Sequence, residues 1–422
     1  MLAAAFLAAA AAAAVADPGW QDLEPLYRDL HAHPELSFQE TATASKLAER
    51  LRALGFEVTA GVGRTGVVGL LRNGEGPTVM LRTEMDALPV AERTGLPFAS
   101  VATAQNAAGE TVSVMHACGH DLHMTVWVGA ATRLARERGR WHGTLMMVAQ
   151  PAEEVGGGAR AMLDDGLFSR FPRPDVALAV HDQDILPSGV IGIRGGPVLA
   201  SSDSVDVTVF GRGGHGARPQ ATVDPIAIAA KFVVSLQTLV SRENDPFQPA
   251  VVTVGSIHGG TKHNIIPEEV RLQLTVRAFD EGVRRHLLEG IERIAKAEAE
   301  AALAPRAPEI RLSDGTPVTT NDAALAGRIR PALERALGAD RVVDAVPVMP
   351  AEDFSLYGRE GVPILMLWLG AVEPSALARS RANGTAVPGL HSPQWTPDAA
   401  KAAPVGIDAL VAASLAVFGR GD

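Results

Sequence analysis

The chain has 422 residues, of which 47% are hydrophobic and 20% are charged, and its formal net charge is −10. This composition is that of a folded globular protein with a sizeable core, and the length indicates two domains or one large domain with an insertion. Acidic residues outnumber basic ones by 48 to 38 and no basic run occurs. Nucleic-acid binding is therefore not expected, because contact with phosphates requires clustered Lys and Arg.

The N-terminus carries an uncharged apolar run over residues 2–16. The run is too short to cross a bilayer comfortably, and it ends in the small-x-small pattern AVA that is typical of a cleavage site. We therefore expect a signal peptide over residues 1–16, an exported protein that is periplasmic or secreted, and no stable membrane anchor after cleavage. Because no Lys or Arg precedes the run, a plain alanine-rich helix is the alternative.

Apolar residues at helical spacing predict two helices over residues 24–58, separated at Pro34. Strands are predicted at GVVGLL and TVMLRTEMDAL, a helix at HMTVWVGAATRLARER, a strand at GTLMMVAQPAEE, a helix at GARAMLDDGLF and a strand at DVALAVHDQD. Continuous apolar strands separated by helices are typical of a parallel sheet covered on both faces. The sequence therefore predicts an α/β core.

The pattern changes near Ser201, where the strands begin to alternate apolar and polar residues. SVDVTVFGRGG, AVVTVGSIHGG and EVRLQLTVRAF read as alternating strands, DPIAIAAKFVVSLQTLVSR and GVRRHLLEGIERIAKAEAEAAL as helices, and PEIRLSDG as a closing strand. The order βαββαβ is that of the ferredoxin-like split unit. We predict an inserted domain over residues 197–313, between core parts at 17–196 and 314–422.

Polar residues follow three of the predicted core strands. Glu84 and Asp86 end one strand, Glu153 and Glu154 the next, and His181 the third. In open parallel sheets, ligands bind in the crevice beyond the carboxyl ends of the strands. This edge is therefore the expected place for a metal site.

The loop MHACGHDLH adds Cys118, the single cysteine of the chain, and His120 to this edge. Thiolate, imidazole and carboxylate together suit Zn²⁺ or Mn²⁺ better than Ca²⁺. His391, in GLHSPQW, follows the last apolar strand and is expected to reach the same edge. For His116 and His123, a helix cap or a core position is favoured over ligation.

Glu153 and Glu154 form an informative pair, because adjacent residues leaving a strand point to opposite sides. One carboxylate can bind a cation while the other takes a proton from water, an arrangement that indicates metal-assisted hydrolysis. The alternative is a solvated pair in the Gly-rich turn EEVGGGAR.

Seven motifs in order resemble those of the M20 metallopeptidase family, specifically its amidohydrolase branch. That branch includes hippurate hydrolases, N-acyl-amino-acid amidohydrolases and auxin-conjugate hydrolases. The resemblance covers nearly all of the mature chain, and its motifs are RTEMDALP (82–89), MHACGHDLH (115–123), QPAEE (150–154), GGHGARPQATVDPI (213–226), GGTKHNIIPEEVRLQLTVR (259–277), AEDFS (351–355) and LHSPQW (390–395).

The resemblance implies a metallopeptidase-like catalytic domain with two divalent metal ions, Mn²⁺ or Zn²⁺. The implied metal ligands are Cys118, His120, Glu154, His181 and His391. Glu153 falls at the position of the general base, and Asp86 at that of a carboxylate that orients a ligand. Glu84 occupies the place of a metal-binding histidine in other branches and is left outside the ligand set.

The resemblance also assigns roles to the inserted domain, as a lid and a dimerisation domain of a possible homodimer. His215 falls at the position of a histidine that stabilises the oxyanion, in some cases across a dimer. Asn264 and Arg277 match positions that hold the amide and the α-carboxylate of the substrate. For Arg277 the alternative is a solvated position on an alternating strand.

Together these features predict hydrolysis of the amide bond of small N-acyl or N-aroyl amino acids. A metallo-dipeptidase or carboxypeptidase that uses the same site is the first alternative, and a deacetylase of N-acetylated diamino acids is a further one. A catalytically silent binding protein is the alternative outside the enzymes.

Overall fold

The computed structural model describes residues 19–313 and 315–419, so the predicted signal peptide, residues 1–16, lies outside the described residues. The helices in this part of the chain are α1 (Trp20–Ala32), α2 (Thr41–Ala53), α3 (His120–Arg136), α4 (Gly158–Asp164), α5 (Leu167–Arg170), α6 (Pro225–Thr238), α7 (Glu281–Ala301), α8 (Ala323–Leu337), α9 (Ser355–Arg359), α10 (Pro374–Asn383) and α11 (Ala399–Phe418).

The strands of the described residues fall in two larger sheets and several short pairs. They are β1 (Glu57–Val62), β2 (Gly66–Asn73), β3 (Thr78–Glu84), β4 (Thr103–Gln105), β5 (Thr111–Ser113), β6 (Gly143–Gln150), β7 (Val176–Pro187), β8 (Ile191–Ile193), β9 (Gly196–Leu199), β10 (Asp203–Phe210), β11 (Gly214–His215), β12 (Ala250–His258), β13 (Ile265–Ile266), β14 (Glu269–Ala278), β15 (Glu309–Leu312), β16 (Thr319–Asn321), β17 (Val342–Asp344) and β18 (Ile364–Val372).

The central sheet has the order β1-β2-β6-β3-β7-β18-β8-β17. Its middle strands β6, β3, β7 and β18 are parallel, which confirms the predicted α/β fold with a mostly parallel central sheet. The pairs β1-β2, β2-β6 and β18-β8 are antiparallel, a feature that the sequence did not predict. The outer strands β8 and β17 have three residues each and β1 is partly exposed, so they lack the long apolar run of a buried strand. Strand β2 does have such a run, and an apolar run by itself does not distinguish a parallel from an antiparallel strand.

Successive residues of each strand point to opposite faces of the central sheet. Both faces carry apolar side chains, and helices cover both. Leu81, Leu178 and Leu367 belong to a core that also contains residues of α1, α3, α8 and α11. Met80, Ala179 and Met366 belong to the core on the other face, which contains residues of α4 and α9. The carboxyl ends of the parallel strands are held between these two layers.

Residues 203–312 form a second sheet, with the order β12-β14-β10-β15 and antiparallel pairing throughout. The chain order is β10, α6, β12, β14, α7, β15. Buried residues of the strands alternate with exposed ones, and the buried set packs against α6 and α7. The sheet therefore has one covered face and one open face. The division of the chain into domains at residues 197 and 313 stays a prediction.

One predicted helix of the chain is divided in the structure. The helix predicted at GARAMLDDGLF is two short helices, because Gly166 has a left-handed φ of 86° that ends the first one.

Among the described helical segments, Pro225–Glu243 and Ala399–Phe418 are long and apolar enough to cross a membrane by length and composition. The second of these, α11, packs against α3, α8 and the central sheet, as a core helix does.

Candidate metal centre

The metal-site candidates come from loops that leave the central sheet at one edge. Cys118 lies in the loop before α3, and His120 is the first residue of that helix. Gly119 between them has φ 74°, and a Cβ added there would lie 2.2 Å from a carboxylate oxygen of Asp182. Only glycine fits this position without strain, so the loop can turn both neighbouring side chains toward the sheet edge.

The five residues predicted as metal ligands lie together in the structure. The Sγ atom of Cys118 is 3.3 Å from Nε2 of His391 and 3.7 Å from Nε2 of His181. Glu154 has Oε1 at 3.9 Å from Nε2 of His120 and Oε2 at 3.5 Å from Nε2 of His391. One sulfur, three imidazole nitrogens and a carboxylate therefore converge, although the residues are far apart in sequence.

Two atoms of this cluster point to a cation. Nε2 of His120 and Oε1 of Glu154 are buried and have no hydrogen-bond partner among the described residues. Buried polar atoms are nearly always paired, so such orphaned atoms require an explanation. Donor atoms of Cys118, His120 and Glu154 all lie within 4.8 Å of one another. The residues fit a divalent cation, and their sulfur, nitrogen and oxygen donors suit Zn²⁺ or Mn²⁺.

The electrostatics of the cluster agree with this fit. Burial raises the pKa of the Cys118 thiol well above its usual range, and the carboxylates of Glu154 and Asp182 raise it further. Burial also raises the pKa of Glu154 to about 7. Burial alone would lower the pKa of His120, but its interactions with Asp86, Glu84 and Glu154 raise it to about 10. The site therefore has an excess of negative potential, which a cation would compensate.

Asp86 holds both the glutamate pair and a histidine in place. Its two carboxylate oxygens accept the backbone N–H groups of Glu153 and Glu154 at 3.1 and 3.0 Å, and Ser37 donates to it at 2.6 Å. Nδ1 of His120 lies 2.7 Å from the carbonyl oxygen of Asp86 and 3.6 Å from its carboxylate. This contact leaves Nε2 of His120 free to face the cluster.

Glu153 lies next to Glu154 in the chain, but its carboxylate belongs to a group of acidic side chains. Carboxylate oxygens of Glu153, Glu352 and Asp353 lie within 4.8 Å of one another. Burial raises the pKa of Glu153 well above its usual range, and the charges of Glu352 and Glu154 raise it further. A carboxylate with a raised pKa is a stronger base once it is ionised, which suits the role predicted for Glu153.

A buried network that the sequence analysis did not predict supports the histidine of β7. Nδ1 of His123 is 3.2 Å from Oε2 of Glu84, and Nε2 of His123 is 3.2 Å from Oδ1 of Asp182. Nδ1 of His181 lies 2.8 Å from the carbonyl oxygen of Asp182. Glu84, His120, His123 and His181 also form a group of donor atoms within 4.8 Å. The position of Asp182 directly after a predicted ligand was the signal that could have indicated this network.

Arg82 extends the network toward the general-base candidate. Its guanidinium contacts Glu84, Glu352 at 2.7 Å and Asp353 at 3.0 Å, and all four side chains are buried. Nε of Arg82 donates to Oε1 of Gln150 at 2.9 Å. The carboxylates of the AEDFS motif are thus tied to the end of β3.

A cleft of about 760 Å³ lies between the cluster and the open face of the second sheet. Glu153, Glu154 and His391 line one side of it, and Arg277 lines the other. The guanidinium of Arg277 makes one long contact, 3.4 Å from the carbonyl oxygen of Met349. Arg277 is therefore near the cluster and available to an anionic group in the cleft.

The structure does not bring His215 and Asn264 to this cleft. Both side chains are exposed, and the two residues lie near each other at the short pair β11-β13, where Gly216 donates its N–H to the carbonyl oxygen of Asn264 at 2.9 Å. Neither residue is among the described residues that line the cleft. Their predicted roles at the cluster are not met within one copy of the chain.

The chain is similar to a known protein family and to several of its characterised members. The model of Peptidase family M20/M25/M40 matches residues 80–385 of the chain. Hippurate hydrolase of Campylobacter jejuni subsp. jejuni is 38% identical over 340 residues, which cover 80% of this chain and 85% of that protein. Thermostable carboxypeptidase 2 of Saccharolobus solfataricus is 37% identical over 348 residues, which cover 81% of this chain and 84% of that protein.

A solved structure agrees with these relatives. The YXEP protein of Bacillus subtilis, described as a dinuclear metal binding peptidase from the M20 family, aligns with a TM-score of 0.77 and 30% identity, covering 94% of this chain and 98% of that one. The family match at residues 80–385 includes Cys118, His120, Glu154 and His181 and ends before His391. These findings confirm the resemblance drawn from the motifs: the chain belongs to the M20/M25/M40 peptidase family and is a hydrolase of its amidohydrolase branch.

Proposed function

We propose that this enzyme hydrolyses the amide bond of N-acyl or N-aroyl amino acids and releases a carboxylic acid and a free amino acid. The observation that carries the proposal is the pair Glu153–Glu154 in a cleft with Arg277 on its far wall. The named relative hippurate hydrolase supports the choice of a blocked amino acid over a free peptide.

The chain's own residues divide the work of the reaction. Arg277 binds the α-carboxylate of the substrate, because a guanidinium matches a carboxylate in a bidentate pair. Glu153 takes a proton from the attacking water and passes it to the leaving nitrogen, as a general base and then a general acid. Asp86 holds Glu153 and Glu154 in position by accepting hydrogen bonds from their backbone N–H groups.

Two divalent cations, Mn²⁺ or Zn²⁺, are proposed at Cys118, His120, Glu154, His181 and His391. When bound there, they would polarise the scissile carbonyl and lower the pKa of the attacking water. The thiol and imidazole donors favour these two metals over Mg²⁺ or Ca²⁺, which prefer oxygen ligands.

We further propose a homodimer, in which a second copy supplies His215 and Asn264 to the cleft. The support is that both side chains are exposed and do not line the cleft of their own chain. A histidine supplied in this way would stabilise the oxyanion that forms during attack. Mixing inactive His215→Ala with inactive Glu153→Gln tests this, because only a shared site restores activity in mixed dimers.

Export to the periplasm or the medium is also proposed, on the basis of the apolar run and the AVA pattern in residues 1–16. Cell fractionation and N-terminal sequencing of the mature protein test it. A mature chain that begins at Asp17 would support export, and an intact N-terminus in the cytoplasm would contradict it.

A dipeptidase or carboxypeptidase activity is the second candidate, favoured by the relative named thermostable carboxypeptidase 2. The two activities differ in whether the acyl side of the substrate carries a free α-amine. The test is hydrolysis of hippurate and N-acetyl amino acids against the corresponding dipeptides, by metal-loaded enzyme, with Glu153→Gln as the blank. Faster cleavage of the blocked compounds supports the proposal, and a preference for the dipeptides overturns it.

A further inference from the structure

The open face of the second sheet carries a row of hydroxyl side chains. Ser204 of β10 pairs with Thr275 of β14, and Thr275 pairs with Thr253 of β12. Ser313, just after β15, donates its backbone N–H to the carbonyl oxygen of Ser204 at 3.1 Å. Residues directly opposite each other in an antiparallel sheet share a face, so the row crosses all four strands.

This row lies next to the residue proposed to hold the substrate's α-carboxylate. Arg277 is two residues from Thr275 on the same strand and therefore on the same face, about 7 Å away along the strand. Ser202 and Thr316 form an antiparallel bridge beside it. Hydroxyl groups therefore flank the arginine along its own strand and on the β10 side, while Val251 of β12 lies directly opposite it.

Five of these hydroxyl residues line the cleft that contains the glutamate pair: Ser202, Ser204, Thr275, Ser313 and Thr316. Ser313 Oγ donates to a backbone carbonyl, but the other four side-chain oxygens have no hydrogen-bond partner among the described residues. Free donors and acceptors therefore face the space where the substrate lies.

The charged groups that line the cleft limit which substrate side chains it can bind. Besides Glu153, Glu154, Arg277 and His391, its described lining residues carry no ionisable side chain and no aromatic ring. With Arg277 bound to the α-carboxylate, no second guanidinium or ammonium group of the described lining faces an additional substrate carboxylate. An apolar side chain would cover the hydroxyl groups without replacing their hydrogen bonds to water, which a site built for hydrogen bonding rejects.

We propose that Ser204 and Thr275, with their hydroxyl neighbours, select amino-acid products with a neutral hydrogen-bonding side chain, such as asparagine or glutamine. The inference rests on the proposed amidohydrolase function and names the amino-acid half of its substrate. The apolar lining residues Val155, Pro350 and Ala351 are left to contact the acyl half, whereas Val251 and the backbone of Met349 lie beside Arg277.

The test compares substrates that differ only in the polarity of the side chain. N-acetyl-asparagine and N-acetyl-leucine are nearly equal in shape, so the ratio of their kcat/KM values reports hydrogen bonding. The wild-type enzyme is expected to favour the asparagine compound by at least about 10-fold. Thr275→Val, which exchanges a hydroxyl for a methyl group, is expected to reduce that ratio by about 2–10-fold, the effect of one hydrogen bond.

Thr253→Val is the matched control, because Thr253 belongs to the same row but does not line the cleft. It is expected to leave the ratio unchanged. A wild-type ratio at or below one, or equal effects of the two variants, would overturn the specificity proposal. Failure of the proposed function looks different: neither compound would then be cleaved faster than by the Glu153→Gln blank.

Discussion

Replacement of Arg82 by methionine is expected to weaken the fold severely. The guanidinium contacts Glu84, Glu352 at 2.7 Å and Asp353 at 3.0 Å, and the four side chains are at most 2% exposed. Methionine fills part of the same space but supplies no charge and no N–H donor. Three carboxylates would remain in the interior without their cation, and each of them would have to take up a proton or admit water.

The expected loss in the free energy of unfolding follows from the burial of the ion pairs that Arg82 makes. Breaking a buried ion pair by removing one partner costs about 3–5 kcal/mol, because an uncompensated charge stays in a medium of low polarity. This is a large part of the about 5–15 kcal/mol by which folded proteins are stable. Arg72→Met is the matched control, because Arg72 pairs with Glu57 at 2.5 Å where both side chains are more than half exposed. Its expected cost is below about 1 kcal/mol.

Urea unfolding followed by tryptophan fluorescence measures both effects, in the presence of a chelator because bound metal adds to the apparent stability. Arg82→Lys keeps one positive charge without the planar fork and is expected to fall between wild type and Arg82→Met. The reasoning fails if the unfolding free energy of Arg82→Met lies within about 1 kcal/mol of that of Arg72→Met.

Three further outcomes are expected. Cys118→Ser is expected to lose bound metal and activity but to keep its fold, as measured by elemental analysis and circular dichroism; full metal content with normal turnover would contradict the ligand role. Arg277→Met is expected to lower kcat/KM for N-acyl amino acids by about 10–100-fold, because charged hydrogen bonds to the α-carboxylate are lost. The matching N-acyl amine, which has no carboxylate, is expected to be cleaved equally well by the wild type and the variant. Burial lowers the pKa of His31, but its hydrogen bonds to Asp121 and Glu92 outweigh burial and raise it to about 9 from 6.5. Its contribution to stability is therefore complete below pH 6.5 and lost as the pH rises through 9. The destabilisation caused by His31→Gln in urea unfolding should shrink over that range, and a pH-independent difference would count against it.

The parts of the site that could be predicted from sequence are those that local order determines. Continuous apolar strands ending in polar residues place Glu154 and His181 at one sheet edge, since the carboxyl ends of parallel strands share an edge. Cys118 and His120 are separated by one residue and reach the same edge from one loop. Each of these inferences needs only short stretches of the chain and the general behaviour of parallel sheets.

The contacts among Glu84, His123 and Asp182 could not be predicted in this way, although the position of Asp182 directly after His181 was a signal of such a network. Its three members come from β3, α3 and β7, and their contacts depend on the register of two strands and on the direction in which α3 begins. A buried histidine between two carboxylates looks, in the sequence, like any core histidine. The interpretation of His123 as a core residue is consistent with its burial, but the partners that hold it there emerge only from the fold.

Two short strands at one end of the central sheet were missed for a related reason. Strands β8 and β17 have three residues each, too few to show a period, and they acquire their place only by pairing with neighbours. His215 and Asn264 present a different limit, because a sequence does not state whether a residue serves its own chain or a second copy.

The most direct test of the central claim is metal content and turnover measured on the same preparation of Glu153→Gln. The account predicts metal bound at the wild-type level and hydrolysis of N-acyl amino acids reduced by at least about 100-fold, the usual contribution of a general base. Wild-type turnover by this variant, or loss of the metal together with the activity, would contradict the separation of ligand and base between Glu154 and Glu153.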